Sequence, residues 1–84
     1  MIIFQFTKKA EKEWMKLDES VRNMLSEKLK ELKNPELFET HIRTVFDLLP
    51  ATHRIRIGYY RFLIKKEDTI ITILSIGHRR EMYR

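Results

Sequence analysis

The chain contains no cysteine. Disulfides and thiolate metal sites are therefore excluded, and the composition is compatible with a reducing, cytoplasmic setting. Its three histidines, His41, His53 and His78, have neither HxxxH nor HxH spacing, so no metal site is expected. No apolar run approaches the roughly 18 residues of a membrane-spanning helix, and no membrane partner is expected. The opening residues, Met1-Ile2-Ile3-Phe4-Gln5-Phe6, lack the basic start, long apolar core and small-residue cleavage site of a secretory signal. Two glycines and two prolines are the only such residues, and no repeat, low-complexity stretch or linker interrupts the chain.

What remains is one small domain, residues 1–84, with no room for a second core. A domain of this size buries only roughly 60–65% of the surface its unfolded chain exposes, so its apolar residues are largely committed to the core. The 43% hydrophobic content is that of a folded protein. Charge is unevenly placed. Residues 1–52 hold nine Lys/Arg against nine Asp/Glu, whereas residues 53–84 hold eight against three. The whole net charge of +5 therefore lies in the C-terminal portion, which also carries Tyr59, Tyr60, Phe62 and Tyr83. Cations interleaved with aromatics suit a nucleic acid better than a membrane surface. A merely solvated basic face is the plainer alternative.

Hydrophobic periodicity predicts the elements. Ile2, Phe4 and Phe6 share one face of a strand over residues 1–6. Thr7 is a candidate N-cap for a helix over residues 8–17, where Ala10, Trp14 and Leu17 recur at helical spacing. Asp18 can break this helix and cap a second, from Ser20 to Lys33, with Val21, Leu25, Leu29 and Leu32 as its apolar stripe. Asn34-Pro35 stops that helix. Residues 35–52 are apolar without a clean period and read as a loop packed on the core, with a short strand near Thr44–Leu48. In His53–Ile57, Ile55 and Ile57 point one way and Arg54 and Arg56 the other. Gly58 permits a turn or bulge, Tyr60–Lys66 forms the next strand with Arg61 on the arginine side, and Lys66-Glu67-Asp68-Thr69 is a hairpin turn. Ile70–Ile76, apolar on both faces, reads as an interior strand.

The predicted class is α+β: an N-terminal strand and a two-helix hairpin packed on one face of a mainly antiparallel four- to five-stranded sheet. The other face would display Arg54, Arg56 and Arg61. The segment Ile76-Gly77-His78-Arg79-Arg80-Glu81-Met82-Tyr83-Arg84 ends the sequence. With nothing following to fold over it, its cations and phenol are expected at a surface, a combination suited to a phosphodiester. His41 and His53 are read as structural or exposed, and Trp14 as core.

Three segments carry a resemblance to a known family. They are Lys12-Glu13-Trp14-Met15-Lys16-Leu17 in the first helix, His53-Arg54-Ile55-Arg56-Ile57-Gly58-Tyr59-Tyr60-Arg61 in the strand pair, and Gly77-His78-Arg79-Arg80-Glu81-Met82-Tyr83-Arg84 at the end. In this order they resemble the RelE branch of the RelE/ParE toxin superfamily of toxin–antitoxin systems. The resemblance implies a ribosome-dependent mRNA endonuclease that cleaves in the A site by attack of a ribose 2′-OH on the adjacent phosphate, with no metal or other cofactor. It also implies an antitoxin partner in a hetero-oligomer, alongside ribosome and mRNA. By position, Arg61 and Arg79 resemble the arginines that stabilise the scissile phosphate, and Tyr83 the tyrosine that orients the nucleotide or moves a proton. Arg54, Arg56, His78 and Arg80 would contact RNA.

Arg54 and Arg56 stand where well-known members carry lysines. Arginine stays protonated near neutral pH, so the general base would be His78 or Tyr83, unless alignment of the nucleophile suffices. Arg43–Pro50 is apolar and acid-containing where many relatives are basic. Two alternatives stand beside the nuclease reading: a ParE-like protein that binds and inhibits DNA gyrase, and a toxin that keeps antitoxin binding but cleaves little.

Overall fold

A computed structural model describes residues 1–78. In chain order the elements are β1 (Ile3–Phe6), α1 (Lys8–Met15), α2 (Glu19–Glu31), α3 (Pro35–His41), β2 (Ile42–Thr44), β3 (His53–Ile57), β4 (Tyr60–Glu67) and β5 (Ile70–His78). The five strands form one mixed sheet in the order β1-β5-β4-β3-β2. β1 runs parallel to β5, and the other neighbours are antiparallel. The helices supply one layer and the sheet the other, as an α+β fold requires. Among the described residues no helix is long and apolar enough to cross a membrane.

Local chemistry sets the helix boundaries. Thr7 caps α1, its hydroxyl accepting from the Ala10 N–H at 3.1 Å. Asp18 occupies the N-cap position of α2 without a side-chain capping bond, and its carbonyl accepts from the Arg22 N–H at 2.9 Å. Leu25, Leu29 and Leu32 turn inward from α2 and its C-cap, and are buried.

The expectation of a loop after Asn34 is corrected. Asn34-Pro35 ends α2 but also begins α3: the Asn34 side chain accepts from Glu36 N–H at 2.9 Å, and Pro35 sits in the first turn, where its missing N–H costs nothing. The short strand likewise begins at Ile42 rather than near Thr44, and is three residues long.

The core lies between the layers. Phe38, Ile55, Phe62, Ile64, Ile71 and Ile73 are fully enclosed. Phe4 meets Phe38 edge-on at 6.1 Å between ring centres, and Phe6 meets Trp14 at 5.6 Å. Beyond Phe6 the strand β1 stops while β5 continues, and α1 covers the edge so left. Thr7 N–H donates to the Ile73 carbonyl at 3.1 Å, and the Glu13 carboxylate accepts from Ile76 N–H at 2.9 Å. Lys9 donates to that carboxylate at 3.2 Å and to the Ser75 hydroxyl at 3.0 Å. The edge therefore offers fewer open donors for unwanted strand pairing.

Gly58 and Tyr59 join β3 to β4 in a two-residue hairpin, with Gly58 first and at φ 58°. No atom lies within 4 Å of a Cβ added there. Gly58→Ala therefore carries a backbone penalty alone, expected at roughly 1–2 kcal/mol. The check is a urea titration in which the midpoint falls and the slope does not.

Candidate nucleic-acid interface

Strand alternation sends Ile55, Ile57, Phe62 and Ile64 into the helical layer, so Arg54, Arg56 and Arg61 take the opposite face. The register then sets these arginines in rows. Arg43 of β2 lies across from Arg54 of β3, and Arg56 of β3 lies across from Arg61 of β4. Like charges directly opposed on a ladder repel. Two Arg–Arg pairs side by side violate that rule, and such violations collect where binding rather than stability set the sequence.

The surroundings of the four cations differ. Arg56 is exposed and Arg54 half-buried, whereas Arg61 is only 9% exposed, the one buried charged residue among those described. Across from Arg61 on its other side stands Gly77, which has no side chain and leaves its neighbour room. Arg61 lies six residues along β4 from Glu67, roughly 20 Å, so an ion pair between the two across the hairpin is out of reach. Glu67 pairs with Lys65 at 3.7 Å instead.

Beside these rows, at the β2 edge, Thr40, His41, Arg43, Arg54 and Arg56 line a hollow of about 180 Å³. Its lining is cationic and hydrogen-bonding, with planar guanidinium forks that match phosphate oxygens. Arg43 and His41 did not stand out in the sequence. For Arg43 the signal available was Ile42, an inward-pointing residue whose successor on the strand points outward, but it carries weight only once β2 is known to start there.

His78 is not brought together with the arginines. It pairs with Tyr60, one register step beyond Arg61 and Gly77, and so turns toward the helical layer. There its ring stacks on Tyr59 at 5.8 Å with planes 12° apart and meets Tyr60 edge-on at 5.6 Å. Tyr59 is 65% exposed at the tip of the hairpin. Arg79, Arg80 and Tyr83 lie outside the described residues. Among the described residues no cluster of three His, Asp or Glu side chains could hold a metal ion.

A second concavity lies on the helical side. Phe4, Phe6, Trp14, Met15 and Leu29 form its apolar wall, Glu11, Ser26, Lys30 and Lys33 complete its lining, and its volume is about 610 Å³. Met15 is 69% exposed beside it.

Residues 4–83 match the family profile described as the ParE toxin of the type II toxin–antitoxin system parDE. No curated protein sequence matches. Among solved structures, the RelBE2 toxin–antitoxin complex from Mycobacterium tuberculosis contains a chain 26% identical to this one, with a TM-score of 0.77 over 93% of this chain and 98% of that one. The intact E. coli RelBE toxin–antitoxin complex is also 26% identical, with a TM-score of 0.69 over 93% and 96% of the two chains. The archaeal RelE–RelB complex from Pyrococcus horikoshii shares the fold at 20% identity, with a TM-score of 0.70 over 95% and 97%.

Proposed function

Because this chain belongs to the ParE toxin family of type II toxin–antitoxin systems, within the RelE/ParE superfamily, we propose that it is the toxin of such a pair and acts as a ribosome-dependent mRNA endonuclease. The observation that carries this reading is the double row of opposed arginines, Arg43 with Arg54 and Arg56 with Arg61. Four guanidinium groups concentrated on one sheet face suit a polyanion better than a protein surface of mixed charge. A polyanion offsets their repulsion.

In the proposed reaction the scissile phosphate lies between Arg56 and Arg61. The ribose 2′-OH attacks it in line, leaving a 2′,3′-cyclic phosphate and a free 5′-OH. Positioning and charge stabilisation supply most of the acceleration. Arg61, the buried member of the face, binds the oxygens on which charge develops. Arg79 joins it, Tyr83 orients the nucleotide, and Arg54 and Arg80 contact the flanking RNA. No metal is required.

The neutralising partner in this reading is a cognate antitoxin. Two solved relatives at 26% identity are toxin–antitoxin complexes. The apolar concavity between β1, α1 and α2 suits one face of an amphipathic helix. Residues 1–84 would form a single toxin domain, working in the cytoplasm where ribosomes and mRNA are found.

The test is primer extension on a translated message in a purified system, with this protein and its Arg79→Ala and Tyr83→Ala variants. Discrete cuts at A-site codons, absent without ribosomes and weakened in both variants, are expected. The family description names ParE, so the second reading is inhibition of DNA gyrase. An intact message together with inhibited supercoiling by the purified protein would replace the first reading with the second. An intact message with neither activity would leave a toxin that keeps its partner and has lost its chemistry.

A further inference from the structure

Attack by a 2′-OH is speeded by a group that takes its proton, and arginine is a poor base for that task. His78 turns away from them toward Tyr60. His41 does not: it lines the hollow with Thr40, Arg43, Arg54 and Arg56. His41 ends α3 immediately before β2, whose Arg43 pairs with Arg54, and Arg56 on the same strand β3 pairs with Arg61, so the hollow adjoins the cationic rows. The hollow therefore sets an imidazole among three guanidinium groups.

Hydrogen bonds fix which ring nitrogen is basic. Thr40 donates its hydroxyl hydrogen to the Leu37 carbonyl at 2.7 Å, and His41 Nδ1 lies 2.9 Å from that carbonyl and 3.0 Å from the Thr40 oxygen. A carbonyl can only accept, and the Thr40 hydrogen is already committed to it. Nδ1 must therefore carry hydrogen and donate, which leaves Nε2 of the neutral ring with its lone pair. The charged groups around the ring are Arg43 from β2 and Arg54 and Arg56 from β3. Its own helix adds Glu36 and Glu39, the latter 4.0 Å from Lys66.

We propose that His41 is the general base of the cleavage reaction, its Nε2 taking the proton of the attacking 2′-OH. This rests on the nuclease reading. The O2′–P bond forms as the proton passes to Nε2. The P–O5′ bond breaks, its electron pair leaves on O5′, and that oxygen takes a proton from solvent. The imidazolium then returns its proton to solvent, so no oxidant, reductant or metal is consumed.

The experiment is single-turnover cleavage of a programmed ribosome complex across pH, using the full chain. Wild type should lose rate on the acid side, as a reaction that needs a general base does. His41→Ala should cut the rate by about 100-fold with little change in KM and should flatten the acid limb. Imidazole added to the buffer should restore part of the loss. His41→Asn, whose Nδ2–H stands where Nδ1–H stood and keeps a donor for the Leu37 carbonyl, separates chemistry from folding: it should melt like wild type and stay slow. A His41→Ala rate equal to wild type overturns the assignment, as does a slow variant that keeps the acid limb and ignores imidazole. Absence of cleavage by wild type removes the nuclease reading, and the base falls with it.

Discussion

Arg61→Ala is expected to lower A-site cleavage by about 100- to 1,000-fold, the loss typical of deleting one preorganised donor to a developing oxyanion. Arg61 is the buried member of the cationic face at 9% exposed, whereas Arg56 is exposed and Arg54 half-buried. Burial has two consequences. It fixes the guanidinium group, so little conformational freedom is lost when phosphate binds, and it places the charge in a medium of lower dielectric, where each interaction is stronger. Arg56→Ala, by contrast, removes a mobile solvated charge and is expected to raise KM more than it lowers kcat.

Arg61→Lys distinguishes charge from geometry. It keeps the cation and loses the planar fork, so a rate between wild type and Arg61→Ala is expected if bidentate contact matters. Thermal melts on both variants are needed beside the kinetics, since emptying a buried position can unfold a small domain. A folded Arg61→Ala protein that cleaves at the wild-type rate would move the chemistry away from this face.

The alternation of isoleucine with arginine in His53–Ile57 was enough to place Arg54 and Arg56 opposite the core, because a strand's side-chain period is fixed by its own backbone. Helices α1 and α2 were legible for the same reason: stripe, cap and breaker are all local. What could not be read is set by partners far along the chain. β1 pairs with β5, bringing Gln5 within a 3.1 Å hydrogen bond of Thr72, and nothing in either segment announces the other. β2 is too short to show a period, so Arg43 and His41 were hidden in a stretch that read as loop.

His78 is the sharpest case. Counting alternately from the buried Ile73 would put Gly77 inside and His78 outside, among the arginines. The register slips at Leu63/Ile64, so that Leu63 faces Ser75 while Ile64 faces Ile73. Leu74 is the extra residue of a bulge, and every side chain after it changes face. Ile76 is consequently buried at 4%, and His78 joins Tyr59 and Tyr60 at the end of the helical layer.

Phe62→Ala is expected to destabilise the protein by about 3–5 kcal/mol. Phe62 is completely buried near the middle of the sheet, across from Ile55 on one side and Ile76 on the other. An 84-residue domain holds roughly 4–13 kcal/mol in total, so this one truncation consumes much of its stability. The loss has a local route to the site as well. Arg61 precedes Phe62 on β4, and the strand presents its guanidinium outward only while Phe62 is held inward.

Phe46→Ala removes a ring of the same size from a position 81% exposed, and should change stability by less than about 0.5 kcal/mol. Urea titration of the two variants reads the contrast directly. A Phe62→Ala midpoint close to that of wild type would mean that the sheet does not bury this ring, and the register that aligns Arg56 with Arg61 would lose its anchor. A large shift, accompanied by loss of cleavage at a temperature where the variant is still mostly folded, would tie the packing of the inner face to the chemistry of the outer one.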